Sequence, residues 1–496
     1  MKHYFNIIIL LISLSLNFQV EAQTNTLTFE KILNDGFENN FNIKLKRLSL
    51  NKTDYTLLKA RGALNFFIDT DATYGAGVDP SLSNDGIQTL ETKFVAPTKF
   101  GVNFYSGFRL ERTIEFGKPN TPFNSSGAFA GVKIPLLRGI GKSSLVNTDI
   151  EVSKINQKTL GEEFSNQILT YFTDILINYF TLKEAIEEYN ISKNIVNETK
   201  KYRNEIFTLA ENDQIPLVEK NRANSLYYNN LQKLTTSNMQ VLRVYFDIKT
   251  LLGLSDNEKS DSLPVLLDLF SEPNKEKLIE FINIKSVNLD SLIKKTPQYK
   301  SISLGVNENE ILLNNAKNQK KNSLNLDIRV SSFGSYENGR YNLNQTFNSI
   351  PGNSLLVSLT HTFPIRNQQR KGAYLEQLVE YDISKTHLKQ YLFESTTSIT
   401  LNLKLLQQKV ELFYETKLLV GLMRENYENE LAKFKLGNST QTDIIITLNN
   451  YFDTLKSLNN LKYDVWKSYV EIKFVLGELP KNVEELNKFL FSELFN

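Results

Sequence analysis

The sequence predicts a mainly α-helical protein with a membrane β-barrel, built from tandem duplicated halves in which strands are followed by a long helical hairpin. Three observations lead to this fold class. Segments of the sequence recur in the same order, several stretches alternate apolar and polar residues with the period of a strand, and two very long stretches have the apolar spacing of coiled-coil helices.

The duplication rests on three pairs of similar segments. In each pair several residue types recur at equal spacing, and the last pair ends in Gly253 and Gly477. The pairs are residues 51–61 with 307–317, residues 151–154 with 382–385, and residues 247–253 with 471–477. Ordered self-similarity is typical of a repeated structural unit. We therefore divide the chain into a first half at residues 23–253, a connector rich in turn-forming residues at 254–284, a second half at 285–477 and a tail at 478–496.

The first 22 residues have the features of a cleaved signal peptide. Lys2 precedes an apolar run from Ile7 to Leu16, and Ala22 offers a small residue at the cleavage position. The run is shorter than the roughly 18 apolar residues of a membrane helix, and no later stretch reaches that length. We expect an exported chain that can cross a bilayer only through strands.

Composition argues against several classes of function. The chain has 57 basic and 55 acidic residues, interspersed along its length, so nucleic acid is not an expected partner. It has no cysteine, and only His361 and His387 remain after signal removal. A catalytic triad, a thiolate or histidine metal site and a disulfide therefore lack the residues they need. We expect no enzyme activity, no cofactor and no metal.

Period-2 alternation predicts four strands, at residues 64–78, 127–137, 323–334 and 353–365. Strands of about 9 to 11 residues with this dyad pattern suit an outer-membrane barrel, although a half-buried strand of a soluble sandwich alternates in the same way. A further hairpin is predicted at residues 88–116, turning at Pro97. Its second strand alternates Phe104 and Phe108 with polar residues. This hairpin either widens the barrel or caps its outer mouth.

Helical hairpins are predicted at residues 143–252 and 371–476. Apolar residues recur there in steps of three and four, and the clearest run is Ile399, Leu403, Leu406, Val410 and Phe413. A helix of about 67 residues would span on the order of 100 Å, which favours a coiled coil over a compact domain. The few strands of one chain cannot close a barrel, so several copies are expected to close it together.

Three motifs resemble the TolC family of outer-membrane efflux and secretion channels. The segment from Phe434 to Asp443 is similar to the tip of that family's second helical hairpin. Residues 471–479 are similar to the end of the return helix, and residues 134–139 to the junction between strand and helix. The resemblance covers almost the whole mature chain.

This resemblance implies a homotrimer with four canonical strands per protomer, hence a twelve-stranded β-barrel in the outer-membrane lipid of a Gram-negative bacterium. An α-helical coiled-coil barrel would continue it into the periplasm, with the connector and the tail as equatorial segments. It also implies a passive exit duct of a tripartite efflux or type I secretion system, docked through its helix tips to a periplasmic adaptor (membrane fusion) protein and an inner-membrane transporter. Cargo and partner identities are not encoded in any motif.

The resemblance also suggests functional residues. Asp443 would form an acidic ring at the periplasmic pore aperture, although a carboxylate at a helix start equally suits capping. The second aspartate expected one turn later is Ile446, so the ring would be single. In the first half Glu219 matches Asp443, and Asp213 replaces the tip glycine.

The remaining predicted sites are the hairpin tips and the junctions. Adaptor docking would use Phe434, Gly437, Asn438, Ser439, Thr440, Asp213 and Pro216, and the junction residues would be Pro135, Gly139 and Pro364. Phe434 replaces a tyrosine of the family and has no hydroxyl to bond Glu219, so the family's closed-state links do not carry over. The alternative function is a coiled-coil structural or adhesin protein without channel activity, which would remain soluble.

Overall fold

The computed structural model describes residues 26–27, 36–79, 84–115, 123–253, 265–266, 272–337, 352–480, 482 and 485–486. The predicted signal peptide and most of the tail lie outside these residues. The chain has two compact units: a helical unit of residues Met1–Leu45, Gln167–Ile293 and Ser395–Asn496, and a sheet unit of residues Lys46–Asn166 and Lys294–Glu394.

The sheet unit contains six strands in its described part. They are β1 (Phe67–Asp79), β2 (Asn84–Pro97), β3 (Asn103–Glu115), β4 (Phe123–Pro135), β5 (Ser323–Glu337) and β6 (Gly352–Thr362). They form one sheet in chain order, and every neighbouring pair is antiparallel. The hairpin predicted at residues 88–116 is β2 and β3, which lie between β1 and β4.

The two strands of the predicted hairpin therefore add to the four canonical strands within one sheet. β2 and β3 are as long as their neighbours and have the same apolar alternation, so they pair along their full length instead of leaving the sheet. A two-residue parallel pairing, Thr26–Leu27 with Val265–Leu266, lies apart from this sheet.

Eight helices have defined bounds in the described part of the chain. They are α1 (Phe41–Gly62), α2 (Leu145–Glu211), α3 (Leu217–Leu252), α4 (Lys275–Lys285), α5 (Leu289–Ile293), α6 (Pro297–Gln319), α7 (Gln368–Lys435) and α8 (Gln441–Val475). A 3₁₀ turn at Gly141–Ser143 precedes α2. Helices α1, α2 and α7 contribute residues to both units. None of the described helices is long and apolar enough to cross a membrane.

The two helical hairpins end in the same way. Gly253 follows α3 and Gly477 follows α8, and both have a φ of 67°. At Gly253 a β-carbon would lie 2.8 Å from the carbonyl oxygen of Asn39, so glycine is required by space as well as by conformation. The third pair of similar sequence segments thus ends in equivalent structure.

The apolar seam predicted for α7 is confirmed. Its five residues from Ile399 to Phe413 are buried. The continuation toward the tip, from Val420 to Phe434, is half-buried, and Lys404 is exposed beside the seam. The periodicity therefore identified the buried side of this helix, because residues at coiled-coil spacing all lie on the same side of a helix.

Helix α2 is buried on more than the predicted stripe. Tyr171, Ile175, Tyr179 and Leu182 are buried as expected, whereas Ile168, Ile186 and Tyr189 are half-buried. Leu169, Phe172, Leu176 and Phe180 are buried as well. The ring of Phe37 stacks on Phe172 at 6.0 Å, so the segment before α1 covers a second face of this helix.

Ion pairs link α2 to α8 within the helical unit. Lys467 pairs with Glu184 at 2.5 Å, Lys462 with Glu187 at 3.3 Å and Lys456 with Glu188 at 3.4 Å. The buried Tyr463 hydroxyl donates to Glu187 at 2.6 Å. Because these charges occur at intervals along both helices, they fix the register between α2 and α8.

Candidate functional site

One face of the six-stranded sheet is apolar and exposed. Side chains alternate between the two faces along each strand, and the strand registers place apolar residues of all six strands on the same face. We call this set the apolar face: Ile68, Leu90, Phe94, Phe104, Phe108, Ala130, Val330, Leu355, Val357 and Leu359. Its β6 residues are 58 to 69% exposed. An apolar patch of this extent marks a surface that contacts another molecule or lipid.

The opposite face carries charges, and we call it the polar face. Asp69 pairs with Lys93 at 3.3 Å, and Arg109 pairs with Glu111 at 2.8 Å. The Tyr105 hydroxyl donates to Asp327 at 2.5 Å. A sheet with one apolar and one charged face is suited to lie between an apolar medium and water.

The sheet has two open edges. Within the described sheet β1 pairs only with β2, and β6 pairs only with β5. The outer backbone N–H and C=O groups of these two strands therefore have no strand partner among the residues that the structure describes. Leu355, Val357 and Leu359 lie on the β6 edge and are exposed. An edge of this kind must be paired before it can enter lipid, because unsatisfied backbone groups there cost several kcal/mol each.

The predicted junction residues lie where the sheet meets the helices. Pro135 ends β4 opposite Asn325, and Gly139 has a φ of 84°. The Gly139 N–H donates to the side chain of Asn318 at 2.7 Å. Pro364 lies two residues beyond the end of β6, so the two prolines occupy different positions relative to their strands. The two halves are therefore similar but not identical at this point.

The second hairpin tip is built by two local motifs. Gly437 ends α7 with a φ of 75°, and the N–H groups of Gly437 and Asn438 donate to the carbonyls of Phe434 and Lys433 at 2.9 Å each. This pattern is a Schellman motif, which requires a left-handed residue. Thr440 is the N-cap of α8.

Asp443 and Thr440 form a capping box. The Thr440 side chain accepts from the Asp443 N–H at 3.2 Å, and Asp443 accepts from the Thr440 N–H at 3.2 Å and from its hydroxyl at 2.6 Å. The hydrogen bonds from the hydroxyl and the backbone lower the pKa of the Asp443 carboxyl below its ordinary value. The helix-capping reading of Asp443 is thus confirmed, while its place in a pore aperture stays a prediction.

The first hairpin tip has the same backbone with different side chains. Asp213, at the position in this tip that is equivalent to Gly437, has a φ of 55°. Its N–H donates to Ala210 at 3.3 Å, and that of Gln214 donates to Leu209 at 2.9 Å, which again is a Schellman motif. Aspartate tolerates the left-handed region better than most residues.

Glu219 occupies the third position of α3, as Asp443 does in α8, but its surroundings differ. Pro216 is the N-cap and provides no side-chain cap. The Glu219 side chain is 18% exposed, and one carboxylate oxygen accepts from Arg222 at 2.9 Å. The other oxygen is buried without a hydrogen-bond partner in the described structure. The two predicted aperture acids are therefore not equivalent.

The tips pack against each other through an apolar cluster, which we call the tip core: Ile195, Tyr202, Ile206, Ala223, Leu226, Ile444, Leu448 and Phe452. Phe434 packs against this cluster and is half-buried. Phe434 thus stabilises the tip and presents only part of its side chain to a partner. Asn438, Thr440 and Pro216 are exposed.

Two polar residues at the tips were missed by sequence reasoning. The buried Gln441 donates from its side chain to the carbonyl of Glu219 at 3.1 Å and so links the two tips. Glu430 accepts from the Ser439 hydroxyl, and this hydrogen bond lowers the pKa of its carboxyl. Both contacts depend on how the folded chain brings the tips together. In the sequence, only the position of Gln441 next to the N-cap residue pointed to a role at the tip.

Neither a protein-family model nor a curated protein sequence matches the chain. Solved structures do match it. The outer membrane protein VceC of Vibrio cholerae is 10% identical, with a TM-score of 0.67 over 90% of this chain and 96% of that one. The CmeC outer membrane channel of Campylobacter jejuni is 14% identical, with a TM-score of 0.63 over 93% and 88%.

A third structure extends this likeness. The MtrE outer membrane channel of Neisseria gonorrhoeae, in its open state, is 12% identical with a TM-score of 0.59 over 92% of this chain and 90% of that one. The likeness covers nearly the full length of both chains in each comparison. The fold expected from the hairpin-tip, return-helix and junction motifs is therefore confirmed, and the chain has the TolC-like fold of outer-membrane channels.

Proposed function

We propose that three copies of this protein form a passive exit duct in the outer membrane of a Gram-negative bacterium. The observation that carries the proposal is the sheet, which has an exposed apolar face, a charged opposite face and two open edges. Lipid would contact the apolar face and water would solvate the polar face. Neighbouring copies would provide strand partners for the two open edges.

The mode of closure follows from the strand order. The β1 edge of one copy would pair with the β6 edge of the next, so that a ring of copies leaves no edge exposed to lipid. A threefold ring is the arrangement that the resemblance to the TolC family implies. The helical hairpins of the three copies would surround the periplasmic part of the duct.

The hairpin tips are the proposed docking surface for a periplasmic adaptor protein, which would join the duct to an inner-membrane transporter of an efflux or type I secretion system. Exposed apolar side chains support docking at both tips: Leu436 is 76% exposed and Leu217 is 73% exposed. They lie beside the exposed turn residues Asn438 and Pro216. Energy for transport would come from the partner, because the duct itself is passive.

The test compares two neighbouring substitutions on β6. Val357→Asp places a charge on the apolar face, whereas Leu356→Asp places the same charge on the polar face opposite Arg329. The two side chains are almost equally exposed, at 58 and 57%, so exposure alone does not separate them. An Arg or Lys on a lipid-facing strand costs about 2 to 4 kcal/mol at the bilayer midplane, and an Asp costs less but still disfavours insertion.

We expect the wild type and Leu356→Asp to sediment with outer membranes, to run as trimers in mild detergent and to conduct ions in planar bilayers. Val357→Asp should lose most of the inserted trimer. If the wild-type protein is soluble, or if both variants insert equally well, the channel proposal is overturned. A soluble wild-type protein would support the alternative of a coiled-coil structural or adhesin protein.

A further inference from the structure

We infer that the inserted hairpin β2–β3 is part of the membrane wall, so that the closed barrel of three copies has eighteen strands instead of twelve. The inference rests on the proposed trimer and specifies its pore. Each copy contributes six strands to one continuous sheet in the described structure.

The pairing of the hairpin supports its place in the wall. β2 pairs with β1 from Phe67↔Val95 to Asp79↔Asn84, and β3 pairs with β4 from Asn103↔Lys133 to Thr113↔Phe123. The hairpin is therefore bonded to the sheet on both sides along its whole length. If it left the wall to cap the mouth, β1 and β4 would both lose this pairing.

The faces of the hairpin match those of the other strands. Leu90, Phe94 and Phe108 lie on the apolar face, and Phe94 and Phe108 are 48 and 44% exposed. Lys93 and Arg109 lie on the polar face, in ion pairs with Asp69 and Glu111. A hairpin that capped the pore would be in contact with water on both faces, so an exposed apolar face would be unfavourable there.

The turn of the hairpin is held at the start of α2. The Phe100 carbonyl accepts from the Gly141 N–H at 3.0 Å, and the Lys99 carbonyl accepts from the Ser144 hydroxyl. Gly101 has a φ of 84°, and a β-carbon there would lie 2.1 Å from the carbonyl oxygen of Gly139. The hairpin thus turns at the end of the sheet where the strand β4 passes into the helix, as a pair of wall strands does.

The extra strands widen the pore. With strands about 4.8 Å apart and tilted by about 40°, twelve strands give a backbone diameter of about 24 Å and eighteen give about 36 Å. The enclosed cross-section more than doubles, and eighteen strands is the size of porin barrels that keep an open aqueous channel.

The topology provides a matched control. β1 and β4 run in opposite directions because two strands separate them in an antiparallel sheet, so deleting residues 84–115 leaves them able to pair directly. The deletion variant would close with twelve strands. The chain has no cysteine, so Val357→Cys on β6 gives one spin label per copy.

Pulsed electron paramagnetic resonance on trimers in detergent measures the label-to-label distance. Since barrel diameter grows roughly in proportion to strand number, we expect this distance to be about 1.5 times longer in the full chain than in the deletion variant. Equal distances would overturn the inference. Native mass spectrometry of the same samples measures the oligomeric state independently of the label distance. A monomeric full chain would overturn the proposed function together with the strand count.

A second measurement needs no deletion. Leu90→Cys and Thr89→Cys are neighbours on opposite faces of β2, and each can carry a fluorophore in proteoliposomes. We expect a lipid-soluble quencher to act on the label at Leu90 and not on the label at Thr89. If the lipid-soluble quencher reaches neither label while an aqueous quencher reaches both, the hairpin is outside the wall and the inference is wrong.

Discussion

Thr440 and Asp443 satisfy each other reciprocally at the start of α8: the threonine side chain accepts from the Asp443 N–H, and the Asp443 carboxylate accepts from the threonine N–H and hydroxyl. The carboxylate remains exposed while it makes these bonds. One residue can therefore cap the helix and present a negative charge to a pore. Substitutions that separate these two roles are the most informative tests at this tip.

We predict that Asp443→Asn lowers cation selectivity and weakens block by trivalent cations added on the periplasmic side. Three carboxylates near a threefold axis would concentrate cations, and the substitution removes them. Ile446→Asp, at an exposed position one turn later, should strengthen the block by adding a second ring. Planar-bilayer recordings measure both effects. If Glu219→Gln changes selectivity and Asp443→Asn does not, the constriction belongs to the first tip.

We predict that the start of α8 loosens in acid. The pKa values of Asp443 and Glu430 are lowered by hydrogen bonds in the folded state, so both groups stabilise the tip above their unfolded pKa values of about 4, and this stabilisation is lost as the pH falls through the lower folded values. Hydrogen exchange of residues 436–450, corrected for the intrinsic pH dependence, should rise below about pH 4. Thr440→Ala should flatten this rise, and an unchanged profile in that variant would contradict the mechanism.

We predict that Leu403→Asp and Val410→Asp disrupt trimer assembly, whereas Lys404→Asp does not. The first two side chains are buried in the seam of α7, and Lys404 is exposed between them. An unpaired charge in an apolar seam costs on the order of several kcal/mol, while an exposed charge change costs little. Trimer yield after mild-detergent extraction measures the difference. Equal yields for all three variants would show that the seam is misplaced.

We predict opposite effects for two substitutions at the left-handed tip positions. Gly437→Ala should destabilise the protein by about 1 to 2 kcal/mol, because a β-carbon disfavours that backbone conformation. No atom lies close enough to obstruct the new methyl group, so the cost is conformational. Asp213→Gly should be neutral or stabilising, since glycine adopts the same conformation freely. Thermal unfolding of the two variants measures both, and a destabilising Asp213→Gly would indicate a role for the aspartate side chain.

Local patterns in the sequence determined much of the structure. The spacing of Leu403, Leu406 and Val410 located the buried face of α7, because helix geometry fixes which residues share a side. Gly437 and Asp443 predicted the end of one helix and the start of the next, since glycine adopts the left-handed conformation of a helix end and a carboxylate is favoured in the first turn. Asp213, which replaces the tip glycine in the first half, adopts the same left-handed conformation as Gly437.

Tertiary structure decided what depends on partners distant in sequence. Alternation in β2 and β3 showed that they are strands, but their place between β1 and β4 depends on pairing that no local pattern encodes. Likewise Glu219 and Asp443 hold the same helical position, yet packing of the tip half-buries the Glu219 side chain and leaves that of Asp443 exposed. The covering of α2 by Phe37 has the same origin. Periodicity reports which residues lie on one side of an element, whereas burial and strand order depend on what the rest of the chain places against that side.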